Sequence, residues 1–385
     1  MPCPLKEAAL DAPNEPALLM EGQFISYRKF DRLVDETPVS EVVKDKNHFH
    51  LILKFFSSMR KERSFFPINP RFLSTPPNFL GSPSTLLLYT SGSSGNPKIA
   101  KIPFRSLIEN AKNSIKALDL RPNDQWKLTL PLYHVGGISI LIRSILARAC
   151  VVLDDSPNIT HLSFVPTHLY RFYPLYRNLR CLLLGGAPIQ NMPQGLPIHI
   201  TYGLTEMSSM VTLDGNVLPN REVQIDANGE ILVKGPMLFE GYWGEEKHQG
   251  WFHTGDLGYF ENNQLIFTGR KDWMFISGGE NIQPEEIEAV LLEDPEVHEA
   301  VVLGIDDPEF GKRPIAVVRA DSSYSFKKMK DTLKTRLTTY KIPTKLIFVS
   351  QMPLNSNFKL DRFILFQTIL TQLDKNKKLF KAGQK

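Results

Sequence analysis

The sequence predicts an α/β protein, with a large N-terminal α/β domain of parallel-rich sheets and a β-rich subdomain, followed by a small α+β C-terminal domain. Three observations predict it. Between Thr85 and Thr201 short apolar runs alternate with helical patterns and turns, as strands and crossover helices do around a largely parallel sheet. After Thr212 the texture changes to short strands punctuated by glycine and asparagine. Past the charged turn Arg270-Lys271-Asp272 a second, smaller set of helices and strands begins.

The composition bounds the function. The 385 residues, 42% of them apolar, suffice for two or three domains with substantial cores. Charged residues at 22% and aromatics at 10% exclude wholesale disorder. A net charge of +4, from 45 basic and 41 acidic residues, argues against a nucleic-acid partner. Cys3, Cys150 and Cys181 are scattered and odd in number, which fits a reducing compartment; Cys150 and Cys181 sit in apolar strings as core thiols. The opening MPCPLKEAALDAPNEP has no apolar core of a signal peptide. The longest apolar stretch, Ile138 to Leu153, is broken by Arg143 and Arg148 and is too short to span a bilayer. The expectation is a cytoplasmic protein without an integral membrane segment, acting on small molecules.

Element by element, the first seventy residues are weakly patterned and lead into a Pro/Ser/Asn-rich loop, Ser74 to Ser84. Thr85–Tyr89 reads as a buried strand, and a small-residue loop follows from Thr90 to Lys98. Phe104, Leu107, Ile108, Ala111, Ile115 and Leu118 recur at helical spacing. Cys150–Leu153, Leu162–Val165, Cys181–Leu184 and His199–Thr201 read as strands, as do Glu230–Lys234 and Gln264–Phe267 in the β-rich part. The large domain is expected over 1–271, its β-rich part over about 212–271, and the small domain over 272–385. That last region shows a helix at Pro284–Leu292, strands near Ala300–Ile305 and Ile315–Arg319, a helix around Phe326–Leu337 and a strand at Leu346–Val349. The lysine-rich tail reads as solvated.

The strongest local feature is Thr90-Ser91-Gly92-Ser93-Ser94-Gly95-Asn96-Pro97-Lys98. Its glycines allow close backbone approach, its N–H and hydroxyl groups form an anion nest, and its lysine adds a point charge; the set suits a polyphosphate. A Walker loop is excluded, because no Gly-Lys-[Ser/Thr] ending is present. Four further segments are compatible with ordinary turns taken singly: Gly185-Gly186-Ala187-Pro188, Tyr202-Gly203-Leu204-Thr205-Glu206, Trp251 to Asp256, and Ile276 to Ile282 with Gly278-Gly279.

These motifs, in this order from about Leu86 to Arg362, resemble the acyl-adenylate-forming (AMP-binding) superfamily. The resemblance implies ATP, Mg²⁺ and CoA. Thr90, Ser91, Gly92, Ser93, Ser94, Gly95 and Lys98 would meet the phosphates, and Gly185, Gly186, Ala187 and Pro188 the adenine. Tyr202, Gly203 and Thr205 would bind nucleotide, and Glu206 would hold the metal. Asp256 would bind both ribose hydroxyls, Arg270 would contact nucleotide, and Asp272 would be the hinge. Gly278 and Gly279 would line the thiol's approach. Pro353 to Lys359 resembles the catalytic-lysine motif, with Lys359 as that lysine; Phe358 stands where relatives carry glycine, which restricts the loop. The N-terminal segment is short for the superfamily.

The stretch Pro131 to Ser144, with His134, Gly136, Gly137 and Arg143, is similar to the o-succinylbenzoate–CoA ligases of menaquinone biosynthesis, as are Val165 to Leu169, Met207-Ser208-Ser209 and the aromatic Phe104. That branch implies a dicarboxylic aryl acid, with His134 lining the acyl pocket and Arg143 and Ser209 meeting the substrate. An arginine inside an apolar run suits a second carboxylate. Other aryl or short acids, a carrier-protein thiol in place of CoA, and a non-catalytic nucleotide-binding role remain as alternatives.

Overall fold

A computed structural model of the chain describes residues 3–70, 83–90, 97–165, 169, 178–186, 195–355 and 360–382, with side chains described as far as Leu373. They fall into two compact units. The first draws on Met1–Pro188, Gln194–Thr254 and Phe260–Ile266, and the second on Gly255–Tyr259 and Phe267–Lys385. Among the described residues no helix is long and apolar enough to cross a membrane.

The first seventy residues are well ordered into elements despite their weak pattern. They form α1 (Pro4–Asp11), β1 (Pro16–Met20), β2 (Gln23–Ser26), α2 (Tyr27–Glu36), β3 (Val42–Val43), α3 (His48–Arg60) and β4 (Phe66–Pro67). Ser26 caps α2 by accepting the Lys29 N–H, and the helix buries Tyr27, Phe30 and Val34 at turn spacing. Tyr27 donates to the Ala149 carbonyl at 2.7 Å, tying this start to the main core. Phe55 meets Phe56, Phe65 and Phe104 edge to face, which fastens α3 against the chain that follows.

Next come β5 (Thr85–Thr90) and β6 (Lys98–Pro103), which pair antiparallel from Thr85↔Pro103 to Thr90↔Lys98. The polyphosphate-type loop therefore joins two strands, where the sequence pointed to a strand followed directly by a helix. The intervening strand was overlooked because it is six residues long and runs straight into α4 (Phe104–Ala117), with Pro103 at the boundary. The remaining elements of the large sheet are β7 (Gln125–Lys127), α5 (Val135–Ala147), β8 (Cys150–Val152), β9 (His161–Phe164), β10 (Cys181–Gly185), β11 (Ile198–Leu204), β12 (Ser209–Leu213) and β13 (Asn216–Val217).

The sheet has nine strands in the order β13-β12-β11-β10-β9-β7-β8-β1-β2. From β11 across to β1 every neighbouring pair is parallel, and the two edges are closed by antiparallel strands. This is the predicted parallel-rich core. Helices α4 and α5 pack on each other, and α5 is buried all round from Gly137 to Ile145, as a helix without a polar face must be. Cys150 and Cys181 are buried, as expected.

Downstream, β14 (Glu222–Ile225), β15 (Glu230–Lys234), β16 (Phe252–Glu261) and β17 (Gln264–Arg270) form a four-stranded sheet in sequence order. The division between the two units runs through β16 and β17 themselves.

The second unit continues with the hairpin β18 (Phe275–Ser277) and β19 (Glu280–Ile282), then α6 (Pro284–Leu292), β20 (Val297–Asp307), β21 (Gly311–Ala320), α7 (Phe326–Lys334), β22 (Leu346–Phe348) and α8 (Arg362–Ala382). Strand β21 lies between β20, antiparallel, and β22, parallel. Alternation sorts its core: Val302, Ala316 and Val318 pack with Ile287, Leu291, Met329 and Leu333 of α6 and α7. Val301, Leu303, Ile315 and Val317 face Leu365 and Ile369 of α8. The helix α8 carries the backbone of the lysine-rich tail as far as Ala382.

Candidate active site

In a parallel sheet, ligands collect beyond the carboxyl ends of the strands. Here Gly185 ends β10 directly beside Thr201 of β11, and the next residues of β11 are Tyr202, Gly203 and Leu204. Gly203 is required by packing: a Cβ there would lie 2.3 Å from the Ser209 carbonyl oxygen of β12. β11 then runs into a single 3-10 turn, Thr205–Met207, which presents Thr205 and Glu206.

That turn is held under strain from several sides. Ser208 and Ser209 take φ values of 57° and 122°, the latter a rare conformation for a residue with a Cβ. The buried Asn110 of α4 donates to both Met207 O and Met210 O at 2.9 Å, bracketing the two strained residues. Ser208 donates to Met237 O at 2.7 Å, and Phe239 N–H donates to Glu206 O at 2.7 Å. The Glu206 carboxylate, only 9% exposed, accepts a hydrogen bond from Tyr242 Oη at 2.7 Å. A nearly buried carboxylate held by a hydrogen bond, on the turn that also carries Thr205, fits a magnesium ion that takes one carboxylate and otherwise phosphate oxygens and water.

At the loop end of the β5–β6 hairpin Thr90 and Lys98 face each other, with Thr90 Oγ1 donating to Lys98 O at 3.4 Å. Ser91, Gly92, Ser93, Ser94 and Gly95 lie outside the described residues, as do Ala187 and Pro188. Lys98 Nζ pairs with Glu245 at 2.9 Å and stands 4.6 Å from the centre of the Tyr242 ring. The same tyrosine thus touches the loop lysine and the metal-type carboxylate.

Arg143 gives this region its chemical character. It sits on the apolar helix α5, is 2% exposed, and has no carboxylate within ion-pair distance among the described residues. Its Nη2 donates to Ser209 Oγ at 3.2 Å and to Asn110 Oδ1 at 3.5 Å, while its Nε has no partner among the described residues. The guanidinium lies 5.9 Å from the Trp126 ring centre. Burial, and secondarily the charge of Arg221, pushes its pKa down to about 9. Arg221 is itself lowered to about 10 by burial, and spends its donors on Met210 O, Pro219 O and Asn110 O. Two buried cations with no acid partner among the described residues are a standing demand for an anion. His134 occupies the cap position of α5, its ring 4.9 Å from that of Tyr133.

In the second unit Arg270 donates to Asp256 at 2.7 Å and to Asp272 at 2.9 Å. Burial opposes its charge, yet the two carboxylates outweigh burial and hold its pKa above the ordinary value. The backbone of Arg270 is clamped as well: its N–H donates to Glu285 at 3.0 Å, and its carbonyl accepts from Gln283 at 3.1 Å. Gly278 and Gly279, at φ 60° and 89°, form the two-residue turn between β18 and β19, a type I′ hairpin geometry that excludes most side chains. Arg362 lies over the Trp273 ring at 4.2 Å and bonds Glu288. Lys359 lies outside the described residues.

The first unit therefore brings together Thr90, Lys98, Thr205 and Glu206, and joins Ser209 to Arg143. The second brings together Asp256, Arg270 and Asp272. Sequence reasoning missed Asn110, Trp126, Arg221 and Tyr242. Tyr242 lies in Gly241-Tyr242-Trp243, where a glycine before two aromatics was the available signal.

Residues 74–243 match the family model of AMP-binding enzymes, and residues 286–359 match that of the AMP-binding enzyme C-terminal domain. The 2-succinylbenzoate–CoA ligase of Bacillus licheniformis is 35% identical over 326 residues, which cover 72% of this chain and 68% of that protein. The enzyme of the same name from Salmonella typhimurium is 34% identical, over 73% and 68% of the two chains. Among solved structures, o-succinylbenzoate CoA synthetase (MenE) of Bacillus subtilis in complex with the acyl-adenylate intermediate OSB-AMP superposes with a TM-score of 0.80 at 25% identity, over 94% of this chain and 97% of that one. An E. coli MenE with bound OSB-AMS gives 0.79 at 26% identity, over 95% and 98%. This chain belongs to the AMP-binding enzyme family, in its 2-succinylbenzoate–CoA ligase branch.

Proposed function

We propose that this protein is an ATP-dependent 2-succinylbenzoate–CoA ligase, forming an acyl-adenylate and transferring the acyl group to the thiol of CoA. The observation that carries the substrate is Arg143: a buried guanidinium with no carboxylate in ion-pair distance among the described residues, joined through Ser209 to the strand that follows Glu206. A monocarboxylic acid gains nothing from it, whereas an acid with a second carboxylate supplies the missing charge.

In the first half-reaction a carboxylate oxygen of the acid attacks the α-phosphorus of ATP and the bond to pyrophosphate breaks. Two anions must approach, so the site has to supply positive charge and donors. Thr90, the Ser91–Gly95 loop and Lys98 would hold the phosphates, with Lys98 leaving Glu245 to do so. Thr205 would donate to phosphate, and Tyr202, Gly203 and Gly185 to Pro188 would frame the nucleotide. Glu206 would hold Mg²⁺, which when bound neutralises phosphate charge. Asp256 would bind the ribose hydroxyls, Arg270 would contact the nucleotide, and Lys359 would meet the developing charge at phosphorus. His134 would line the acyl pocket. In the second half-reaction the thiol sulfur attacks the acyl carbon, its proton passes to solvent, and the bond to AMP breaks. We place the hinge between the two states at Asp272, and the thiol's approach along Gly278 and Gly279.

Pyrophosphate release measured over a panel of acids tests this. 2-Succinylbenzoate should drive release at least a hundredfold faster than benzoate or a short fatty acid, with thioester formed on CoA and none on a carrier-protein thiol. Equal rates with benzoate would remove the role given to Arg143. Nucleotide binding without release from any acid would mark a non-catalytic homologue and overturn the proposal.

A further inference from the structure

Tyr242 has no part in the chemistry described so far, yet it sits between two of its central residues. Its hydroxyl donates to Glu206 Oε1 at 2.7 Å, and its ring carries Lys98 Nζ at 4.6 Å. Its backbone is fixed to the strand that bears Lys98. Tyr242 and Ala100 form an antiparallel bridge, Lys101 N–H donates to Gly241 O at 3.0 Å, and Trp243 N–H donates to Ile99 O at 2.7 Å. Phe239 meets the ring edge to face at 5.0 Å, and the Phe239 N–H is the group that holds the Glu206 carbonyl. The tyrosine and the glutamate are therefore gripped by the same short segment, Phe239 to Trp243, at both backbone and side chain.

We infer that Tyr242 is a positioning residue for the divalent cation: its hydroxyl fixes the Glu206 carboxylate in the orientation that metal binding requires, and Lys98 and β6 fix Tyr242. A carboxylate on a short turn rotates freely about its last torsions unless one oxygen is held. A donor on Oε1 sets the carboxylate plane and directs the remaining lone pairs. Magnesium tolerates little departure from octahedral geometry, so a rotating ligand binds it poorly. The arrangement also ties the phosphate loop to the metal ligand mechanically, because any shift of the hairpin end at Lys98 is carried to Glu206 through one aromatic ring. The inference rests on the metal role proposed for Glu206, and the experiment separates the two.

The test uses the full chain with ATP, and Mn²⁺ as a paramagnetic probe read by electron paramagnetic resonance, on wild type, Tyr242→Phe, Glu206→Gln and the double variant. Phenylalanine keeps the ring under Lys98 and deletes only the hydroxyl. Tyr242→Phe should weaken Mn²⁺ binding about tenfold, the scale of one charge-assisted hydrogen bond, while ATP affinity in EDTA moves less than twofold. Pyrophosphate release should then require a correspondingly higher Mg²⁺ concentration. The double variant should lose no more than Glu206→Gln alone, since the tyrosine acts through the glutamate. Wild-type metal affinity in Tyr242→Phe, with weak binding in Glu206→Gln, would overturn this inference alone. Wild-type affinity in Glu206→Gln would overturn the metal role of that carboxylate and this inference with it.

Discussion

Replacing Arg143 by methionine should make the protein more stable and nearly inactive. A guanidinium held at about 9 instead of 12.5 is disfavoured by about 5 kcal/mol relative to water, at about 1.4 kcal/mol per pH unit. That figure is an upper bound on what substitution can recover. Methionine forgoes the contacts to Ser209, Asn110 and the Trp126 ring, which together offset about 2 kcal/mol of it. Exchanging buried ionic groups for apolar side chains of similar volume is typically neutral or stabilising by about 1–4 kcal/mol. The expected net is a gain of at most about 3 kcal/mol, seen in urea unfolding as a higher midpoint with an unchanged slope. Pyrophosphate release with 2-succinylbenzoate should fall by at least a hundredfold in the same preparation, while ATP binding persists. A loss of stability beyond about 1 kcal/mol would show that Arg143 belongs to the structural core. Retained activity would show that no substrate anion meets it.

Two further outcomes concern the frame around the site. Gly203→Ala forces a Cβ to within 2.3 Å of the Ser209 carbonyl oxygen, so β12 and the turn bearing Glu206 must move. The expected cost is about 1–3 kcal/mol of stability by chemical denaturation, and adenylation should fall by about a hundredfold. In the second unit, burial raises the pKa of Glu285 above 4.5, with the negative charge of Glu288 adding to it against Arg362. The folded state then binds that proton more tightly than the unfolded chain, so stability declines as pH rises from 4.5 through the folded value. Glu285→Gln removes this slope: its stability relative to wild type should be greater at pH 7 than at pH 4.5, and any constant cost of the new amide contact cancels in that difference. An identical difference at both pH values would refute the role of burial.

The fold was legible where chemistry and packing impose the same residues. The parallel strands announced themselves as short apolar runs, and α6 could be bounded to the residue because Pro284 starts it and acids fill its first turn. Gly203 was readable as a motif, although its reason, the approach of Ser209, belongs to a strand pairing. What escaped is of two kinds. The first seventy residues carry helices whose apolar positions are few, Tyr27, Phe30 and Val34 in α2, so the periodic signal is faint. Asn110 and Tyr242 are polar side chains whose partners lie 97 and 36 residues away along the chain, respectively. Such pairs leave no local pattern, because the same residue types at a surface would look identical in sequence.

The bracket around Arg270 carries a consequence for nucleotide arrival. One cation is divided between the acid suited to sugar hydroxyls, Asp256, and the acid in the connecting turn, Asp272. Hydrogen bonds to a sugar would draw on the electron density of Asp256 and slacken its grip on the guanidinium, leaving Asp272 the stronger claimant. On the ribose role proposed for Asp256, occupancy of that position and the hold of Asp272 on Arg270 would be two readings of a single scale.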